Sequence, residues 1–126
     1  MMTATDLTVQ LREDLADNRS KGDMLRAVRQ FVMDANRTSD VVQLLEVDPG
    51  STGDVRWDAL VAGVVENIAF RRNSKVPSWT GHPNRFLATW WFVTDFHRLH
   101  PTAFVETPAA IANRGVFLRR SSLENV

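Results

Sequence analysis

A mainly α fold, a compact set of helices around one central helix at about residues 54–72, is predicted by three features of this 126-residue sequence. Apolar residues recur at three- and four-residue spacing in several successive segments, the pattern of helices with one buried face. Capping residues stand ahead of those segments and turn formers behind them. Only Val116-Phe117-Leu118 reads as extended, so at most one short strand is expected near 116–118, and one strand builds no sheet.

Taken in order, Leu7, Leu11 and Leu15 follow Asp6 at four-residue spacing, which predicts a helix from Leu7 to Asn18 with Asp6 as its N-cap. A second helix begins after Ser20, where Met24, Leu25, Val28, Phe31 and Val32 keep helical spacing, and it stops at Asn36-Arg37-Thr38-Ser39-Asp40. Val41 to Glu46 makes a short third helix. The segment Asp48-Pro49-Gly50-Ser51-Thr52-Gly53-Asp54 is a cluster of turn formers and reads as the main loop or hinge. The central helix follows: Trp57, Leu60, Val61, Val64, Val65 and Ile68 form a wide apolar face from Val55 to Arg72 behind an Asp54 N-cap. Gly63 costs this helix about 1 kcal/mol relative to Ala, so its presence points to another element crossing closely there. From Val76 to Pro108 four prolines and dense aromatics suit short helical turns laid over a core. Asp95 to His100 reads as a turn or two of helix capped by Thr94 and stopped by Pro101. Pro108 to Arg114 reads as a helix with Pro at its first position and Gly115 just past its end.

The length suits one domain, organised as an N-terminal helical segment (1–46), a loop (47–53) and an aromatic-rich module (54–126) that together make one unit. All 4 Trp lie in the third part. Hydrophobic residues at 44% and charged residues at 24% allow a real core and exclude a disordered chain. With 15 basic and 15 acidic residues there is no bulk positive field to draw the protein to nucleic acid or to an anionic membrane. The absence of cysteine excludes disulfides, thiol nucleophiles and cysteine-ligated metals. No stretch reads as a leader or a membrane span, so a cytoplasmic protein is expected.

The chemistry-bearing patterns are sparse. His97 and His100 are three apart and share a helical face, with Asp95 and Glu106 near in sequence, but no zincin helix pattern and no third histidine at a ligand spacing is present. No glycine-rich phosphate loop, nucleophile elbow or paired acidic motif occurs. No catalytic residue, metal or cofactor is therefore assigned. The second and third helices could imitate a helix-turn-helix, yet the third would offer Ser39, Asp40, Gln43 and Glu46 to the groove, an acidic face. Arg71, Arg72 and Lys75 form a basic patch at the end of the central helix, the weaker candidate for contact with DNA. Trp79, Arg85, Trp90 and Trp91 combine the two side chains most enriched as interface anchors and are the candidate partner-binding residues.

A resemblance sharpens this reading. Arg56-Trp57-Asp58-Ala59-Leu60-Val61-Ala62-Gly63, Val76-Pro77-Ser78-Trp79-Thr80, Pro83-Asn84-Arg85-Phe86-Leu87, Trp90-Trp91-Phe92, Val105-Glu106-Thr107-Pro108-Ala109-Ala110 and Arg114-Gly115-Val116-Phe117-Leu118 occur in that order. Over about residues 54–126 the chain resembles a group of small actinobacterial proteins whose shared module stands alone or follows a Cro-repressor-like helix-turn-helix domain. This sequence departs from the group's pattern at Thr89, where proline is usual, and at Ile111-Ala112-Asn113. Members are encoded beside a protein of nucleotidyltransferase-like fold, in the arrangement of an antitoxin and its toxin. The resemblance implies a non-enzymatic antitoxin-like protein that binds such a partner, and homodimerisation is compatible with it. The rival expectations are a DNA-binding transcriptional regulator and a small-molecule-binding domain built around His82, His97 and His100.

Overall fold

The computed structural model describes residues 1–123, so the last three residues of the 54–126 module lie outside the described residues. Six α-helices carry the architecture: α1 (Ala4–Ala16), α2 (Lys21–Arg37), α3 (Val41–Leu45), α4 (Val55–Arg71), α5 (His100–Glu106) and α6 (Ala109–Ala112). Short 3-10 turns at Ser78–Gly81, Pro83–Arg85, His97–Leu99 and Arg120–Ser122 connect them. The fold is mainly helical, as the spacing of apolar residues predicts.

Helix ends follow local chemistry. Thr3, not Asp6, is the N-cap of α1: its hydroxyl accepts the Asp6 N–H, and the Asp6 carboxylate accepts the Thr3 N–H in return. Asp6 thus serves three residues into the helix, as the reciprocal half of a capping box. Ser20 and Asp54 cap α2 and α4 through their side chains. Both α1 and α4 end on an asparagine with positive φ, Asn18 at 54° and Asn73 at 51°. In each case the next residue donates back across the last turn, Arg19 to the Asp14 carbonyl and Ser74 to the Ala69 carbonyl, both at 2.8 Å. That is the left-handed termination usually given to glycine, here supplied by the other residue that tolerates it.

The central helix α4 buries both flanks. Helices α1 and α2 cover one side, while α6 and the 3-10 turns of residues 78–85 cover another. One continuous apolar cluster runs from Leu7, Leu11 and Phe31 in the first half to Trp57, Ile68 and Ile111 in the second. Gly63 marks a close crossing: a Cβ there would meet the Ile111 Cα at 2.9 Å, so α6 lies against bare α4 backbone. The glycine expected to mark a close approach does so.

Two readings are corrected. Pro101 does not stop a helix; it occupies the first turn of α5, where its missing N–H costs nothing. The strand expected near 116–118 is present as β2 (Val116–Phe117), and it has a partner, β1 (Trp91–Phe92), with which it pairs in parallel, Trp91 opposite Val116 and Phe92 opposite Phe117. Among the described residues no helix is long and apolar enough to cross a membrane.

Candidate functional site

The two-stranded pairing decides where the aromatic side chains go. Trp91 N–H donates to the Gly115 carbonyl at 2.8 Å and Val93 N–H to the Phe117 carbonyl at 2.9 Å, which fixes the strand through residues 91–93. Successive side chains of a strand point to opposite faces. Trp91 accordingly turns inward, edge-on to Trp57 with ring centroids 5.2 Å apart, and Phe92 turns the other way onto Phe117 at 5.1 Å. Gly115 holds φ at +80°, the conformation that swings the chain from α6 into β2.

On the outer side the rings form a ladder. Phe117 is covered by Trp90 at 5.0 Å, Phe92 at 5.1 Å and Phe104 at 5.3 Å. Trp90 also meets Phe104 at 5.8 Å, and Phe92 stacks flat on His100 at 4.2 Å, with His97 beyond at 4.9 Å. Thr107 anchors α5 beneath this surface: its hydroxyl donates to the Ala103 carbonyl at 2.5 Å and accepts the Leu118 N–H at 3.0 Å. The outer rungs are open to solvent, Trp90 at 62% and Phe104 at 52% relative exposure, while Phe117 below them is buried. Large rings held rigidly by their neighbours and left uncovered lose little entropy on meeting a partner, the property that makes aromatic residues interface anchors.

Of Trp79, Arg85, Trp90 and Trp91, only Trp90 is presented to solvent; the other three are interior, which corrects the expectation that the four share one surface. Trp79 donates its indole N–H to the Leu45 carbonyl at 3.0 Å, tying the 78–81 turn to α3. Arg85, 5% exposed, donates to the Gly50 carbonyl at 2.8 Å and the Asp58 carbonyl at 3.3 Å, and its guanidinium lies 4.9 Å from the Trp79 ring centroid. The loop at 48–54 is bound from its other side by the Asp58 carboxylate. That group accepts Ser51 Oγ at 2.5 Å, Thr52 N–H at 2.7 Å and Thr52 Oγ1 at 2.7 Å. The segment read as the main loop or hinge is a hydrogen-bonded loop.

The basic trio separates likewise. Arg72 is half-buried and donates to the Ala35 and Thr38 carbonyls, closing the end of α2; Arg71 faces a cleft; and Lys75 stands with Glu46 and Pro77 around a different hollow. Helix α3 is five residues long and buries Val41, Leu44 and Leu45, which leaves a short face for a DNA groove. His82 lines a small cavity of about 160 Å³ beside Asp58 and Arg85, whereas His97 and His100 belong to the ladder, so the three histidines do not build one pocket. Among the described residues no group of three His, Asp or Glu side chains is placed to hold a metal ion. Asp95, next to this surface, has its carboxyl held below the ordinary aspartate range, chiefly by the hydrogen bond from Lys21 Nζ at 2.7 Å and the charge behind it.

Sequence reasoning missed Phe104, Phe117 and Arg114. Phe104 and Val105 are both exposed, two large apolar side chains in a segment whose sequence carries no apolar periodicity, which is the one signal that could have drawn attention to Phe104. Arg114 is 2% exposed, pairs with Glu66, donates to the Thr80 carbonyl at 2.8 Å and lies 4.6 Å from the Phe86 ring centroid. Comparison with known protein families, with curated proteins and with solved structures finds no match to this chain.

Proposed function

We propose that the chain is a non-enzymatic partner-binding protein that seats an apolar segment of another protein on the Trp90–Phe104 surface. We further propose that the partner is a nucleotidyltransferase-like protein, restrained by occlusion as a toxin is by its antitoxin. The observation that carries the first step is Trp90, 62% exposed yet packed on Phe104 and Phe117, an anchor already in place. The second step rests on the resemblance of residues 54–126. Nothing at the ladder supplies a nucleophile beside a base, and the ring faces suit packing rather than proton transfer.

The test is co-expression with a nucleotidyltransferase-like protein from the gene neighbourhood, followed by size-exclusion chromatography and titration. The expected result is a stoichiometric complex that Trp90→Ala weakens by about thirtyfold or more, the effect of losing an aromatic hot spot. A wild-type mixture eluting as two separate species overturns the choice of partner. A complex indifferent to Trp90→Ala and Phe104→Ala overturns the choice of surface.

A further inference from the structure

A cavity lies away from the aromatic ladder, between the C-terminal halves of α2 and α4. Its volume is about 490 Å³, within the range of small-molecule sites. Its apolar wall comes from Val32, Val64, Ile68 and Leu123, all buried. Spacing on α4 explains the lining, since Val64, Asn67, Ile68 and Arg71 fall on one helical stripe. Among the described residues the polar rim is unbalanced: Arg37, Arg71 and Arg120 face one acidic residue, Glu106, on a chain whose formal charge is zero. Glu106 is also engaged, accepting the Arg120 main-chain N–H at 2.9 Å.

These arginines differ from the others that shape the fold. Arg72, Arg85 and Arg114 each donate to main-chain carbonyls, and Arg85 and Arg114 also pair with Asp48 and Glu66. Among the described residues, Arg37, Arg71 and Arg120 make no side-chain hydrogen bond or ion pair. The helix dipole accounts for a cation in the last turn of α2 and of α4, hence for Arg37 and Arg71 singly. It does not account for Arg120, which opens a 3-10 turn, nor for three guanidiniums at one cavity without a side-chain partner among the described residues. The carbonyl end of α2 is already served by Arg72. Asn36 and Asn67 add two carboxamides to the same rim.

We infer that this cleft binds a small organic anion, a phosphate or carboxylate carried on an apolar body. Planar guanidiniums clamp the two oxygens of such a group in pairs, and the Val64–Ile68 wall takes the body. The inference is independent of the partner-binding surface. It is tested on the full chain with phenyl phosphate, benzoate and inorganic phosphate, by calorimetric titration and by amide chemical-shift mapping. The expected result is saturable binding of phenyl phosphate or benzoate, with shifts at Val64, Asn67, Ile68 and Leu123. Preference between these two probes identifies the acid group.

Arg71→Gln and Arg120→Gln should each weaken binding about tenfold, the loss of a charge-assisted hydrogen bond, while Arg98→Gln, outside the cleft, leaves it unchanged. Arg71 and Arg120 are exposed, so both variants keep the fold, and their melting temperatures without ligand check this directly. Absence of saturable binding by all three probes overturns the inference. So does binding unaffected by either arginine substitution, or inorganic phosphate binding as tightly as phenyl phosphate, which would leave the apolar wall without a role.

Discussion

Replacing Gly63 by alanine sets two opposing effects against each other, and the structure decides which wins. In an ordinary helix interior the change would stabilise by about 1 kcal/mol, because glycine surrenders more backbone freedom on folding. Here the added Cβ would stand 2.9 Å from the Ile111 Cα and 3.0 Å from its Cγ1. Backbone cannot rotate aside as a side-chain tip can, so α6 must back away. It carries with it Arg114, its pair with Glu66 and the strand that follows. Overpacking of this kind costs about 1–3 kcal/mol, and a backbone clash belongs at the upper end, leaving a net destabilisation of about 2 kcal/mol. For a domain of this length that lowers the melting temperature by roughly 8 °C. Gly22→Ala is the matched control, since its Cβ would meet only Ser20 Oγ at an ordinary 3.7 Å and α2 should gain about 0.5 kcal/mol. Urea unfolding followed by circular dichroism reads both. Opposite signs are expected; a Gly63→Ala protein as stable as wild type would refute the close packing of α6 on α4.

Three further outcomes follow from the same geometry. Asp58→Ala strands the Ser51 and Thr52 donors and should cost about 3 kcal/mol in urea unfolding; a loss under about 1 kcal/mol would mean the 48–54 loop is held by something else. Acrylamide should quench chiefly Trp90, the one exposed indole, so Trp90→Phe should remove most of the quenchable fluorescence, and quenching unchanged in that variant would refute the burial of the other three. Asp95 should titrate below the ordinary aspartate range in an NMR pH series, and Lys21→Met should bring it back toward that range. Because its folded value lies below its unfolded one, the Lys21 contact favours the fold above the ordinary aspartate range and is lost as pH falls through the folded value. A wild-type Asp95 that titrates in the ordinary aspartate range would refute that contact.

The helical half of the fold was legible because its signals are local. Three- and four-residue spacing located α1, α2 and α4, Ser20 and Asp54 announced their caps, and Gly63 betrayed a neighbour that sequence could not name. The β1–β2 pairing was not legible. Each strand is two residues long, and the bonds that make it join segments 25 residues apart, so neither carries a periodicity of its own. Pro101 was misread because proline marks both the end of one helix and the start of the next. Adjacent Trp91 and Phe92 cannot both point outward, so part of the aromatic segment had to be core, but which of Trp79, Arg85, Trp90 and Trp91 turns inward was not legible, because tryptophan and arginine anchor interfaces and interiors by the same packing and hydrogen bonding. One signal was available. Asp58 stands on the apolar face of α4, between Trp57 and Val61, where a carboxylate requires donors, and the adjoining Ser51-Thr52 supplies them.

The second half of the chain has few regular elements to order it, and two buried arginines take over that task. Arg85 and Arg114 each reach main-chain carbonyls of a separate loop and each lie against an aromatic ring, Trp79 and Phe86 respectively. They fasten the irregular aromatic segment to α4 much as a helix dipole or a ladder of strand bonds would fasten a regular one. This division of labour gives partner binding a clean experimental signature. Arg85→Ala and Trp90→Ala would both weaken a partner complex, but for different reasons. The first leaves the Gly50 and Asp58 carbonyls without their donor and should lower stability by about 2–3 kcal/mol, so its binding defect should shrink as temperature is reduced. The second removes an exposed ring, should cost at most about 1 kcal/mol of stability, and should keep its binding defect at every temperature where the fold persists. If both defects tracked the melting temperature, the ladder would be packing surface like the rest of the interior, and the partner would have to be met elsewhere on the molecule.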